Sequence, residues 1–505
     1  MTNSNDSFDG RPVRLENALA PFVLAIDIGS GSTRCSLYDS LARPIAKYTK
    51  KADHLFTEAA DGTAEIDADQ VTREVEQVIT EVTKSLDAGS VIAVAMDTFA
   101  SSLVAVDAGG HALTPCITYA DSRSAQQLSH LREQLDEEEI HQRVGARLHT
   151  SYHPPRLMWL ADTVPDVVAR TAQYVSLGEY IYLQLAGIHG AATSTMAWAG
   201  ILDRQTGQLD SELLRITGTS PDQFASIVDP DQPITDVDPR VGARWPALTG
   251  AAWFPAIPDG YASNLGVGAT IPSTVAMSAA TSGAMRTIIQ GFPTQLPSGL
   301  WSYRVSRTES IVGGALNDVG RVTLWLESTL APLGVDEVNT LLAAPPSDGT
   351  PLVLPFLTGE RSTGWAGSAR GVITGLSSSC DAPCLWRGAM EGVALSYARV
   401  FAQLEEINPQ IGQIVASGGV AGRYPGLMDM TAQAVGFPVD IVNAKRVTMR
   451  GAAVMALSVL SPNSQVAKLP LEASIRVLPA QREYYEHRLD EFEQVYSKVI
   501  ADPIL

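Results

Sequence analysis

Three turns of small and hydroxylated residues, with one aspartate between them, are the parts of this chain that could do chemistry. Asp27-Ile28-Gly29-Ser30-Gly31-Ser32-Thr33-Arg34 closes an apolar run with a carboxylate and enters a hydroxyl-rich turn. Such a turn directs backbone N–H groups and hydroxyls into one concavity, which suits phosphate oxygens. Asp27 could hold Mg2+ through its water shell, because that ion takes one or two carboxylates and completes its shell with phosphates and water. Ala280-Thr281-Ser282-Gly283-Ala284-Met285-Arg286 repeats the pattern in the second half of the chain. In Ala416-Ser417-Gly418-Gly419-Val420-Ala421-Gly422-Arg423 the small side chains let a flat ring such as adenine lie against the backbone. Asp259, in Ile257-Pro258-Asp259-Gly260, could take a proton from a substrate hydroxyl. Taken singly, each segment also reads as ordinary structure: a capped hairpin, a strand-to-helix turn, a helix N-cap.

Several enzyme classes are excluded. No Gly-x-x-x-x-Gly-Lys-Ser/Thr loop exists, and Gly29-Ser30-Gly31 lacks the third glycine of a dinucleotide fingerprint. Neither His-Glu-x-x-His nor Gly-x-Ser-x-Gly is present. The net charge of −19 gives no electrostatic reason to hold a nucleic-acid backbone. No stretch reaches the ~18 apolar residues that span a membrane. The polar N-terminus has no apolar signal region, and residues 1–20 read as a disordered tail. A cytoplasmic protein is expected. Cys35, Cys116, Cys380 and Cys384 are too few for a disulfide framework and read as thiols, without the ligands of a zinc site.

The elements that must position these turns follow from periodicity. Residues 22–28 form an apolar, β-branched strand, and 35–39 can return from the turn as a hairpin partner. Residues 273–280 and 285–289 do the same later, which suggests a duplicated architecture. From Asp67, the residues Val71, Val75, Val78, Ile79, Val82 and Leu86 share one helical face, and 91–96 is the next strand. Further helices are expected over 382–406, 425–435 and 480–500. Strands alternating with helices imply an α/β fold. A chain of 505 residues exceeds the roughly 250–300 at which single cores stop growing. It divides into 21–262 and 263–505, with the boundary near 262.

The turns, in this order, resemble those of the FGGY carbohydrate kinases, and the resemblance runs from about residue 22 to about 500. Asp27 to Arg34 is similar to that family's first phosphate motif, 281–286 to the second and 417–423 to the adenosine motif. Asp259 falls at the catalytic-base position. Ala120-Asp121-Ser122-Arg123, Leu354-Pro355-Phe356-Leu357-Thr358-Gly359-Glu360-Arg361 and 371–391 match as well. Within the family the chain looks most like the gluconokinase branch, through 116–124, 263–267, 281–286, 313–317 and His149.

The resemblance implies two ribonuclease-H-like domains, of the actin, hexokinase and Hsp70 type, with a deep cleft between them. It implies an ATP- and Mg2+-dependent kinase acting on a hydroxyl of a small sugar, sugar acid or polyol, gluconate first, and a homodimer. The first domain would bind substrate and the second the nucleotide. Substrate residues would be Asp121, Arg123, His149 and Asp259. Nucleotide residues would be Gly29, Ser30, Gly31, Ser32, Thr33, Arg34, Thr281, Ser282, Gly283, Gly320, Gly418, Gly419 and Arg423. Asp27, through water, and Asp259 would face Mg2+. The chain departs from the family pattern at Ala100-Ser101, usually Met-His, at Arg156 and Gly178, usually lysines, at Ala192, usually aspartate, and at Cys384. Xylulose, ribulose or polyol kinases of the same family, a non-catalytic sugar sensor, and a chaperone- or actin-like ATPase are the alternatives.

Overall fold

The computed structural model describes residues 10–347, 349–443 and 445–501. Two sheets organise it, built on one plan. In the first, Phe22–Gly29 pairs antiparallel with Ser32–Tyr38, which pairs antiparallel with Pro44–Asp53. On its other side Phe22–Gly29 runs parallel to Val91–Thr98, which in turn carries Ala252–Trp253 and Ile257–Pro258 in parallel. The second sheet repeats this. Thr274–Ala279 pairs with Gly283–Gln290 and the latter with Glu309–Leu316, both antiparallel. Gln413–Ser417 and Val439–Val442 add in parallel on the other side. The duplication suggested by the two hairpins therefore extends to five strands in each sheet.

The helix expected after Asp67 spans Ala68–Thr83, with Asp67 accepting from the amides of Asp69 and Gln70. Its valines pack beneath the first sheet with Leu24, Ile26 and Val94. The later helices form as Ala382–Ile407, Pro425–Val435 and Pro479–Tyr496. Two expectations are corrected. Residues 1–9 of the presumed tail lie outside the described residues, but 10–20 are in place. Gly10 donates its amide to the Lys468 carbonyl, Val13 bridges to Ile45, and Val13, Leu15 and Ala18 cover the core of the first sheet. The apolar side chains in this stretch outweigh its polar look. Cys380 and Cys384 form a disulfide rather than two thiols. The turn that enters the Ala382–Ile407 helix, capped by Asp381, brings their Cα atoms to 5.3 Å.

The two halves meet where the helix Asp259–Val267, which follows the last strand of the first sheet, crosses Val447–Leu460. The expected boundary near 262 falls inside the first of these helices. The crossing is closed by glycines. A Cβ on Gly266 would lie 1.8 Å from the Val447 carbonyl oxygen, and one on Gly451 equally close to that of Ala262. Backbone against backbone cannot yield as a flexible side chain can. Gly451→Ala is expected to cost about 3 kcal/mol of stability, the upper range of overpacking. Chemical denaturation checks this; a change within 0.5 kcal/mol, roughly that of an ordinary surface substitution, contradicts it.

Candidate active site

Strand register gathers three carboxylates that are far apart in sequence. Asp27 lies opposite Asp97 in the parallel pair. Ile257 and Pro258 lie opposite Asp97 and Thr98, so Asp259 is the next residue beyond the same end. In parallel α/β sheets this carboxyl end of the strands is where ligands bind. Asp97 was not among the sequence candidates. Its signal was the one used for Asp27, an apolar strand that ends in a carboxylate.

Crowding and burial shape their protonation. Asp97 is fully buried, and burial raises it well above the usual carboxylate range, with repulsion from Asp27 and Asp259 adding to this. Neither Asp97 oxygen has a well-formed hydrogen bond; its polar neighbours are Asp27 and Thr448. Burial also raises Asp27, against the pull of Asp97 and of Arg34, whose Nη1 is 3.4 Å from Asp27 Oδ2. Burial pushes Asp259 up to about 6, with Arg286 and the Gly260 amide, 2.7 Å from Oδ1, holding it back. No three His, Cys, Asp or Glu side chains among the described residues are grouped so as to hold a metal directly. Two adjacent carboxylates, one without hydrogen-bond partners, fit a hydrated Mg2+ that shares its shell with phosphates.

The turns present open backbone. Ser30, Gly31, Thr281, Ser282, Gly418 and Gly419 are exposed, and a Cβ on Gly31 or Gly419 would meet nothing within 4 Å. Gly320 and Gly418 serve packing instead. Their Cβ positions lie 2.6 Å from the Ala280 and 2.3 Å from the Ala279 carbonyl oxygen, and Gly418 has a φ of +114° that disfavours a side chain. These contacts seat the helix Gly320–Thr329 and the turn at 418 on the second hairpin. Gly283 packs under the Tyr397 hydroxyl, which donates to the Ser278 carbonyl. Ser32 is buried, Arg34 pairs with Asp27, and the fully buried Thr33 donates its hydroxyl to Glu74, away from the turn's open side. Arg423 is exposed and pairs with Glu327 at 2.9 Å.

Of the residues expected to bind substrate, Asp121 is 2% exposed, and its oxygens accept from the amides of Ala64 and Arg123 and from Arg123 Nε. Arg123 also pairs with Glu65 and lies over Trp159. Both side chains are thus committed to the protein. His149 lines a cavity of about 720 Å3 with Tyr119, Asn317, Thr358 and Arg361, residues drawn from both halves. Its Nδ1 accepts from the Ser151 amide, which leaves the proton on Nε2. Burial and then Arg361 lower its pKa to about 4, so it is a neutral donor. Trp198 stacks on Tyr303 at 4.0 Å, and Tyr303 shares a 2.6 Å hydrogen bond with Tyr152.

Two further residues were overlooked as site members. Arg286 packs against the start of the Asp259–Val267 helix, with its Nε 3.8 Å from a Cβ placed on Gly260. Arg361 is half-buried at the cavity wall. Neither guanidinium makes a hydrogen bond or ion pair among the described residues; burial acts against the charge on Arg286, Asp259 favours it, and Arg361 opposes it. Arg361 is held in place through its neighbour Glu360, which lies between Arg399 at 2.6 Å and the Tyr496 hydroxyl at 2.5 Å.

Known proteins resemble this chain in sequence and fold. The chain is 27% identical to a gluconokinase of Bacillus subtilis (strain 168), over 80% of this chain and 81% of that one. It is 23% identical to a glycerol kinase of Nocardia farcinica, over 86% and 89%. The fold superimposes on a gluconate kinase from Lactobacillus acidophilus with a TM-score of 0.87, at 22% identity over 94% and 97% of the two chains. A xylulose kinase from Rhodospirillum rubrum superimposes equally well, at 22% identity over 94% and 98%. The family models for the FGGY family of carbohydrate kinases match here in both parts, the N-terminal domain over residues 22–266 and the C-terminal domain over 277–459. With two hairpins built on one plan and both domain models matched in order, this chain belongs to the FGGY family of carbohydrate kinases and is a sugar kinase.

Proposed function

We propose that this kinase transfers the γ-phosphoryl group of ATP to a hydroxyl of a sugar acid, with gluconate the first substrate to test. The observation that carries the reading is the Asp259–Arg286 arrangement. A carboxylate with a pKa of about 6 is ionised at neutral pH, yet basic enough to accept the proton of an attacking hydroxyl. Phosphoryl transfer asks mainly for positioning and charge neutralisation. The open amides of the two turns offer the first, and Asp27 with Asp97 would hold Mg2+ through water, with Asp259 on its substrate side. When bound, that ion supplies positive charge to the transferring phosphoryl oxygens. His149 Nε2–H can donate to a substrate hydroxyl in the cavity it lines.

Arg286 and Arg361 speak for an acid. Arg286, whose charge Asp259 favours, and Arg361 are half-buried guanidiniums without an ion pair among the described residues, and in a chain of net charge −19 they favour a ligand that brings its own carboxylate. The unusual positions contact one another and the strand ends rather than Asp259 itself. Arg156 Nη1 and Nη2 each donate at 2.5 Å, to the carbonyls of Ser101 and Thr118, so two of the departures touch one another. At Gly178 a Cβ would meet that of Ala256 at 2.5 Å, which leaves no room for a lysine there.

The test is ADP release with Mg-ATP across gluconate, other sugar acids, xylulose, ribulose, glycerol and erythritol. A sugar acid is expected to give the highest kcat/KM. A neutral sugar or polyol turned over better than every acid contradicts the proposal.

A further inference from the structure

Behind the first phosphate turn lies a buried pair that the reaction itself does not use. His54 follows the strand Pro44–Asp53, and its side chain is wholly shielded from solvent. Its Nε2 is 2.8 Å from the Gly29 carbonyl oxygen, and its Nδ1 is 2.8 Å from Glu74 Oε2. Its backbone amide donates to the Gly31 carbonyl at 3.3 Å. Glu74, on the helix Ala68–Thr83, also accepts from the Thr33 hydroxyl at 2.9 Å and, through Oε1, from Gln70 Nε2 at 2.9 Å.

We infer that His54 and Glu74 are positioning residues for nucleotide binding, which orient the 29–33 turn from behind so that its amides face the phosphates. A carbonyl can only accept, so the Nε2 facing Gly29 must carry a proton. Glu74 Oε2 accepts from the Thr33 hydroxyl and lies 2.8 Å from Nδ1, so the ring ties the turn to the helix Ala68–Thr83. The ring therefore draws the Gly29 carbonyl, and the His54 backbone amide the Gly31 carbonyl, to the back of the turn, while Glu74 draws the Thr33 hydroxyl the same way. Peptide planarity then turns the neighbouring amides toward the open side, where Ser30 and Gly31 are exposed.

This rests on the assignment of the 29–33 turn to ATP phosphates, and the experiment separates the two. Asn and Gln divide the histidine's duties: His54→Gln places an N–H near the Nε2 position, and His54→Asn near Nδ1. H54Q is expected to keep the KM for ATP within about two-fold of wild type, the loss being less than one net hydrogen bond. H54N is expected to raise that KM, and the calorimetric Kd for ADP, by roughly ten-fold, the value of one hydrogen bond to a turn that must be held rigid. The KM for the sugar substrate should stay constant in both. Equal effects of H54N and H54Q, tracking a common loss in Tm, would mean a merely structural role and overturn the inference. An unchanged ADP affinity in H54N overturns it as well. Gly31→Asp, which adds a carboxylate on the open side, is the control. If it binds ADP as wild type does, the assignment of the turn fails and the inference with it. If it weakens ADP while H54N does not, the inference alone fails.

Discussion

Asp259→Asn is expected to lower kcat by roughly 10²–10⁴-fold, the usual contribution of a general base. The amide keeps the shape of the carboxyl group and its oxygen can still accept from the Gly260 amide, 2.7 Å away in the native chain. It cannot take a proton. The helix Asp259–Val267 should therefore form as before, and ADP affinity and Tm should stay near wild type. The substitution also removes one negative charge beside Asp97, which burial and repulsion from Asp27 and Asp259 raise, and near Asp27, which burial raises. That change favours the fold, so the loss of turnover cannot be blamed on instability. A steady-state kcat within ten-fold of wild type would contradict the role of Asp259. A pH profile adds a second reading of the same residue. The base must be ionised to act, and its pKa is about 6, so wild-type activity should fall as pH drops through about 6. In D259N that limb should vanish from whatever turnover remains.

The sequence made some of this legible and hid the rest for physical reasons. Hairpins announce themselves locally. An apolar run, a turn of glycine and serine and a second apolar run placed both hairpins to within a few residues, because strand and turn preferences are set by neighbours in the chain. Helix faces were equally plain: Val71, Val75, Val78, Ile79 and Val82 are all buried as their spacing implied. Register between distant strands has no such local signature. Nothing near Asp97 says that it will stand opposite Asp27, and the strand expected over 91–96 stops one residue short of it. Arg286 and Arg361 were visible as members of motifs, but their lack of partners is a property of the folded cleft alone. Asp121 and Arg123 show the reverse. Their residue types suit a hydroxyl-rich ligand, yet folding commits them to each other, to Ala64 and to Glu65. The Cys380–Cys384 bond likewise depends on the turn around Asp381, which composition does not reveal.

Arg286→Met should lower kcat/KM for a sugar acid by about 10²–10³-fold, in line with the loss of one partner from a buried, hydrogen-bonded charge pair. Methionine keeps most of the side chain's length and apolar contact, so Gly260 remains packed. The guanidinium has two separable duties. Toward the ligand, it offers a forked donor to a carboxylate. Toward Asp259, it lowers a pKa that burial raises. Removing it takes away the opposing effect, so the Asp259 pKa must rise above about 6. The acid limb of the pH profile then moves to higher pH, and the variant loses relatively more activity at pH 6 than at pH 8. Arg286→Lys keeps the charge but not the fork. It should restore the limb to near its wild-type position while recovering only part of the kcat/KM for the acid. Comparison with a neutral polyol separates the duties further: the shift in pH should appear with both substrates, and the larger fall in kcat/KM only with the acid. Equal losses for acid and polyol would mean that Arg286 serves the phosphoryl group rather than the substrate carboxylate. An unmoved acid limb in R286M would mean that the two side chains do not share the field that their packing around Gly260 implies.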